Sequence, residues 1–291
     1  MEYIDTYNQL LSLKPETFRS GVRKVALSTM STVFNLRHDQ EDLLRRPRIQ
    51  FLYIHHVFRD EERKLDGLLK SLSRDHHFIS YTEAVRRILN GEVDKPYICV
   101  SSDDGLKNNL AAAAILNEYG AKGCFFICPS IVDETDPEKI RAFARSRLHF
   151  PPVEFMTWND IAQLQKQGHE IGAHTLSHIN IAATPAAELE EEITGCYEVI
   201  KKRCGSSDHF AYPYGRYSDF TPFARELAFK SGFESFASAA RGCHVVEQSI
   251  RMNKKDLLIR RDHIILDWPL RHILFFITRN VLRADVKNNY F

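Results

Sequence analysis

Apolar residues fall in short β-rich runs, separated by longer stretches with helical spacing. The runs are 49–56 (IQFLYIHH), 96–102 (PYICVSS), 123–130 (GCFFICPS), 169–174 (HEIGAH), 209–215 (HFAYPYG), 234–240 (ESFASAA) and 257–266 (LLIRRDHIIL). Between them, 106–121 sets Leu110, Ala113, Ala114 and Leu116 on one helical face and stops at Gly120. Segment 158–168 ends in glycine, and 184–205 opens on Thr184-Pro185 and closes on basic residues and Gly205, as the helix dipole favours. Segments 220–232 and 267–286 follow the same logic. Residues 1–48 hold helix formers and no strand signal, which predicts an N-terminal helical extension to a domain over 49–291. Alternating strands and helices predict a mostly parallel sheet. Seven such units with near-continuous apolar strands favour a closed or nearly closed α/β barrel over an open sheet.

In such barrels functional residues gather at the C-terminal ends of the strands. Here those ends read HH, SSDDG, CPS, AHTLSH, YPYG, SAARG and RRDH, so carboxylates and histidines collect at one face. Composition is that of an ordinary globular chain, 291 residues with 44% hydrophobic and 26% charged. A net charge of +1, from 39 basic and 38 acidic residues, gives no electrostatic case for nucleic acid. Cys99, Cys124 and Cys128 lie in apolar runs and no CxxC pair occurs. The first residues, MEYIDTYNQLLSLKPE, show neither a basic n-region nor an apolar h-region, and no apolar run reaches membrane-spanning length. These features predict a cytoplasmic protein without a signal peptide or transmembrane segment. A basic amphipathic stretch near the C-terminus, WPLRHILFFITRNVLR, suits the inner membrane face, although a barrel helix with a solvated basic side explains it better.

Three strand ends carry candidate chemistry. Adjacent Asp103 and Asp104 point in different directions, so one is free to bind a metal while the other faces a reacting water. An isolated Asp-Asp-Gly is more often a plain turn. His174 and His178, four apart, meet one metal if the segment winds helically past its strand. An isolated HxxxH is more often a capped helix start with surface histidines. Together with Asp104 the pair offers three ligands and one open position, the pattern of a catalytic site. Tyr212-Pro213-Tyr214-Gly215 fixes a sharp turn that aims the Tyr214 N–H at the site, or is simply a strand-to-loop turn.

SSDDG, HTLSH and FAYPYG, in that order, resemble the three motifs of the polysaccharide deacetylase family, carbohydrate esterase family 4, whose NodB-homology domain is named after the nodulation chitooligosaccharide deacetylase. The flanking NNLAAAAILNEYGAKGCFFI, MTWNDIAQLQKQGHEIGAHTLSH and FLYIHHV are similar too, so the resemblance spans roughly residues 50–265. It implies a distorted, NodB-like (β/α)7 barrel and a metal-dependent hydrolase that removes an N-acetyl group from an amino sugar. By position, Asp103 would be the general base and Asp104, His174 and His178 would hold a divalent cation, Zn²⁺ first, with Co²⁺ or Ni²⁺ as alternatives. The Tyr214 N–H would help bind the oxyanion.

Two positions depart from the family pattern. Its motif arginine falls on Ala211, so Arg260 or Arg261 at a later strand end must supply the cationic partner of Asp103, and Arg261 is taken into the site. The late histidine that acts as general acid has no clear counterpart; His263 is the first candidate and His55 or His56 the second, whereas His272 lies in a helical pattern. Tyr53, Phe155, Trp158, Tyr212, Tyr214 and Tyr217 are candidates for stacking on a sugar, or for wall packing. A nucleotide-linked, lipid-linked or oligosaccharide substrate fits a cytoplasmic chain better than an extracellular polymer. Two rivals remain: a binding module that kept the fold without the chemistry, and a metal-independent amide hydrolase of the same superfamily. The complete Asp-His-His set argues against both.

Overall fold

The computed structural model describes residues 3–13, 18–246 and 252–291. Its centre is a parallel sheet of β1 (Arg48–Ile54), β2 (His77–Phe78), β3 (Pro96–Ser102), β4 (Cys124–Ile127), β5 (Glu170–Ala173), β6 (His209–Ala211), β7 (Ser235–Ala237), β8 (Leu258–Ile259) and β9 (Arg261–His263). Eight strands follow one path, β8-β7-β6-β5-β4-β3-β1-β9, and β2 pairs with β3 beside it. The two ends of the path, β8 and β9, are successive stretches of one segment interrupted at Arg260. Leu258 and Ile259 pair with β7, while Arg261, Asp262 and His263 pair with β1. The bent last segment therefore joins both edges and closes seven strand segments into the expected barrel.

Alternation along the strands divides the residues between two faces. Ile49, Phe51, Cys99, Cys124, Phe126 and Ile259 form the inner apolar cluster. Leu52, Ile54, Ile98 and Val100 face outward to the leucines of helix Glu62–Leu72. Continuing the inner stripe toward the C-terminal ends replaces apolar residues by Tyr53, Ser101, Asp103, Arg261 and His263. Helix Tyr81–Asn90 packs Tyr81, Ala84, Val85 and Ile88 on the inner cluster.

The extension forms helices Tyr7–Leu13, Phe18–Arg37 and Gln40–Arg45; its residues 1–2 and 14–17 lie outside those described. Helices Glu62–Leu72, Tyr81–Asn90 and Pro137–Ser146 were not anticipated from the apolar pattern. Yet Ser80 and Asp136 cap the last two with their side chains, a signal present in the sequence. The single helix expected over 184–205 is instead Ala186–Glu190, a π-helical turn Glu191–Gly195, and Cys196–Cys204. Helix Leu270–Leu282 buries Ile273, Phe275 and Ile277, so the C-terminal stretch is a packed helix of the fold rather than an open amphipathic one. Among the described residues no helix is long and apolar enough to cross a membrane.

Candidate active site

Asp103 and Asp104 leave β3 in a tight turn. The Asp103 N–H donates to the Ile54 carbonyl at 3.1 Å, and Asp104 and Gly105 take the left-handed conformation, with φ of 75° and 69°. The reversal sends the two carboxylates apart, both buried. Arg261 reaches across the barrel to Asp103, with Nη1 donating to Oδ1 at 2.7 Å and Nη2 to Oδ2 at 2.9 Å. The guanidinium is held in turn by the Ser238 carbonyl, accepting from Nε at 3.0 Å, and by the face of Tyr53 at 4.3 Å. Burial, the largest single effect, would raise the Asp103 pKa; the charge and hydrogen bonds of Arg261, together with the nearby His174 and His55, outweigh it and hold the carboxyl below its ordinary value. Arg260 points elsewhere, donating to the Arg241 carbonyl at 3.3 Å and to the Tyr217 hydroxyl.

His174 and His178 do not lie on a helix, contrary to the winding expected for a four-residue spacing. The segment is a turn in which Thr175 and His178 have φ of 58° and 54°. These two left-handed residues fold the chain back, and both imidazole Nε2 atoms come to 3.4 Å from Asp104 Oδ1. The turn is held from outside by Glu192, in the π-helical turn. Its carbonyl accepts from Leu176 N at 2.9 Å, and its carboxylate accepts from Ser177 N at 2.9 Å and Ser177 Oγ at 2.5 Å.

The donor set fits a divalent cation. His174 Nδ1 lies 2.5 Å from the Ala211 carbonyl, which can only accept, so Nδ1 carries the proton and Nε2 presents a lone pair toward Asp104. Asp104 Oδ1 is buried without a hydrogen-bond donor. One ligand atom from each of Asp104, His174 and His178 lies within 4.8 Å of the others. Three electron-rich atoms converging in a dry site call for positive charge between them. Burial would raise the Asp104 pKa, but the two facing histidines hold it well below the carboxylate range. At His174, burial opposes charge, and Asp104 and Asp103 overcome it and raise the proton affinity.

These groups lie on the wall of a cavity of about 440 Å³, within the range of small-ligand sites. Tyr53, Tyr212 and Tyr214 line it, whereas Phe155 and Trp158 do not; Tyr217 is exposed. Tyr214 takes φ of 64°, followed by Gly215 at 70°, where a side chain would run into Ala239. This is why the turn ends in glycine and why Tyr214 stands at the rim. His263 and His55 also line the cavity and share a hydrogen bond, Nδ1 of His55 to Nε2 of His263 at 3.0 Å. Burial, with the neighbouring His55 and Arg241, pushes His263 down to about 3. His56 Nδ1 instead meets the buried Glu61 carboxylate at 2.8 Å. His272 is buried far from these groups in sequence and contacts Ser28 Oγ at 3.0 Å. Sequence reasoning missed Glu61, Glu192 and the roof of Tyr7, Leu10, Leu148 and Phe150. Glu192 belongs to an acidic run that reads as a solvated helix face.

A strand–helix barrel with a buried Asp-His-His cluster beside an arginine-clamped carboxylate defines a hydrolase-like scaffold. The polysaccharide deacetylase family model matches residues 90–233, the stretch that carries Asp103, Asp104, His174, His178 and Tyr214. The chain is 29% identical over 125 residues to the chitooligosaccharide deacetylase of Azorhizobium caulinodans, a match covering 42% of this chain and 49% of the relative; it thus spans about half the length of that relative. The fold is shared with the deacetylase PplD of Streptococcus pyogenes, solved in complex with acetate: TM-score 0.60, 17% identity, 80% of this chain and 98% of that one. It is shared also with a de-N-acetylase from Aggregatibacter actinomycetemcomitans: TM-score 0.61, 19% identity, 79% of this chain and 99% of that one.

Proposed function

We propose that this protein is a metal-dependent carbohydrate N-deacetylase, hydrolysing the N-acetyl amide of an amino sugar. The observation that carries the reading is the juxtaposition of Asp103, clamped by Arg261, with the Asp104–His174–His178 cluster on one cavity wall. A divalent cation held by those three residues, Zn²⁺ in the first instance, supplies Lewis-acid polarisation of the acyl carbonyl and a lowered pKa for water.

The chain's own groups supply the rest. Asp103, kept ionised by Arg261, accepts a proton as water attacks the acyl carbon. The Tyr214 N–H steadies the oxyanion of the tetrahedral intermediate. The amide nitrogen leaves poorly as an anion, so a histidine must deliver a proton to it; His263 is assigned this role, with His55 hydrogen-bonded behind it. Since burial pushes His263 down to about 3, the negative charge of the intermediate would have to raise its proton affinity for it to act. The products are acetate and a free amine. The cavity has an apolar side made by Leu10, Leu106, Leu148, Phe150, Ile264 and Leu266, which favours a substrate with an apolar group beside the acylated sugar, such as a lipid-linked one.

The test is metal content of the purified protein together with acetate release from N-acetylated sugars, nucleotide sugars, lipid-linked sugars and chitooligomers, before and after chelation. Near-stoichiometric metal and chelator-sensitive release are expected. Asp104→Ala and His178→Ala should lose metal and activity together, while Asp103→Asn should retain metal and lose turnover. Absence of metal after incubation with Zn²⁺ or Co²⁺ would overturn the ligand assignment and favour a binding module. Release that persists after complete metal removal would favour the metal-independent hydrolase.

A further inference from the structure

Helix Phe18–Arg37 is amphipathic in the wrong direction for a helix packed on a domain. The side it turns to the protein is largely polar: Ser31 is buried, and Ser28 Oγ contacts His272 Nε2 at 3.0 Å and accepts from Arg271 Nη2 at 3.2 Å. Phe34, edge-on to Phe275 at 5.2 Å, and half-buried Leu27 are the apolar residues on that side. The opposite side is open and mainly apolar, with Thr29 and Thr32 among its exposed residues, their hydroxyls turned back onto the helix carbonyls of Val25 and Ser28. Val22, Val25, Val33 and Leu36 are 52%, 69%, 41% and 82% exposed, and Met30 is 49% exposed. At 3.6 residues per turn, the three valines and Leu36 fall within an arc of about 80°. Along 20 residues the stripe runs for about 30 Å.

Charge decides what can cover this stripe. Segment 18–37 contains no aspartate or glutamate. Exposed Arg37 borders the apolar residues and exposed Arg23 stands further round the helix, 5.8 Å from the Trp268 ring, while the helix against which it packs, Leu270–Leu282, carries Arg271 and Arg279 and is followed by Arg283. A second copy docked about a two-fold axis would bring the same cationic set against itself, with no carboxylate on the helix to answer it. A surface that is negative and apolar just beneath fits both features.

We propose that helix Phe18–Arg37 is a membrane-surface binding site, lying in the plane of an anionic bilayer with Val22, Val25, Val33 and Leu36 in the acyl boundary and Arg23 and Arg37 among the headgroups. The proposal is independent of the cavity and its chemistry. Its test is co-sedimentation of the full chain with vesicles of phosphatidylcholine alone and of phosphatidylcholine mixed with phosphatidylglycerol, with solution mass measured in parallel. Binding to the anionic vesicles is expected, weakened by salt. The Val25→Glu/Leu36→Glu variant, both positions being exposed, should retain its melting temperature and lose at least about tenfold in vesicle affinity. No binding by the wild-type chain, or equal binding by the variant, would overturn the proposal. A wild-type dimer that the variant converts to monomer, without vesicle binding by either, would overturn it in favour of a contact between copies.

Discussion

Arg261 and Asp103 form a bidentate pair across the barrel, 158 residues apart in sequence, with both contacts under 3 Å and both side chains buried. In the motif pattern of the family the arginine would sit at Ala211, on β6; here it sits on β9. Because the strands close into a ring, a guanidinium from either strand end can reach the same inward carboxylate. The bent segment that closes the barrel thus also delivers the cation.

Replacing Arg261 by lysine keeps the charge but removes the two-pronged geometry. Steady-state kinetics of Arg261→Lys should show turnover reduced by at least about 10²-fold with metal content unchanged. Arg261→Met leaves a buried carboxylate unpaired and should cost about 3–5 kcal/mol in denaturant unfolding. Wild-type turnover in the lysine variant would remove the clamp from the mechanism.

Glu192 touches none of the three candidate ligands, yet it bonds Leu176 and Ser177 between the two histidines. Left-handed Thr175 and His178 are costly conformations that must be held by their surroundings. Glu192→Ala should therefore weaken metal affinity about 10–100-fold, measured by competition with a chelating dye, with little change in overall fold. An affinity equal to wild type would show that the turn holds its shape unaided.

Much of this architecture is legible in the chain, for a physical reason. Parallel strands buried on both faces read as continuous apolar runs, and the polar residues that end each run must lie at one mouth of the barrel. The strand ends that carry Asp103, Asp104, His174, His178 and Tyr214 stand out that way, Arg261 and His263 are added only from the family resemblance, and the structure places all seven around one cavity. What could not be read was contact. Four-residue spacing between histidines implies a helix only if the backbone is right-handed, and nothing in HTLSH announces two left-handed residues. Arg261 is two residues after inward-facing Ile259, so the alternation runs through the break at Arg260 and turns Arg261, not Arg260, toward Asp103. Glu192 and Glu61 were invisible because a buried carboxylate and a solvated one are the same letter.

Three histidines stand as candidates for the general acid, and three alanine variants separate them. His263→Ala should lower turnover by about 10²–10⁴-fold with metal retained. His55→Ala should have a smaller effect, as its imidazole hydrogen-bonds to His263. His56 is oriented by the buried Glu61 carboxylate, 2.8 Å from its Nδ1. Unchanged kcat in His263→Ala with a large loss in His56→Ala would transfer the role to the His56–Glu61 pair.

Three histidines away from the cavity make the fold sensitive to acid. Each must stay neutral, because one ring nitrogen accepts from an N–H: His76 Nε2 from Arg48 Nη2 at 2.8 Å, His169 Nδ1 from Gly123 N at 3.0 Å, and His244 Nε2 from Arg260 N at 3.0 Å. Burial, reinforced in each case by a nearby cation, pushes all three down to about 4. In the unfolded chain they titrate near ~6.5. The unfolded state therefore takes up protons first as the pH falls, and the stabilisation, complete above that value, is lost progressively toward the folded pKa of about 4. Each histidine should cost up to about 2 kcal/mol between neutrality and pH ~5. Urea unfolding at neutral and mildly acidic pH should show this loss. In His244→Gln the glutamine does not titrate, so the variant should be less stable at neutrality but lose less on acidification. An identical pH slope in variant and wild type would mean that His244 is not one of the groups that couple folding to protons.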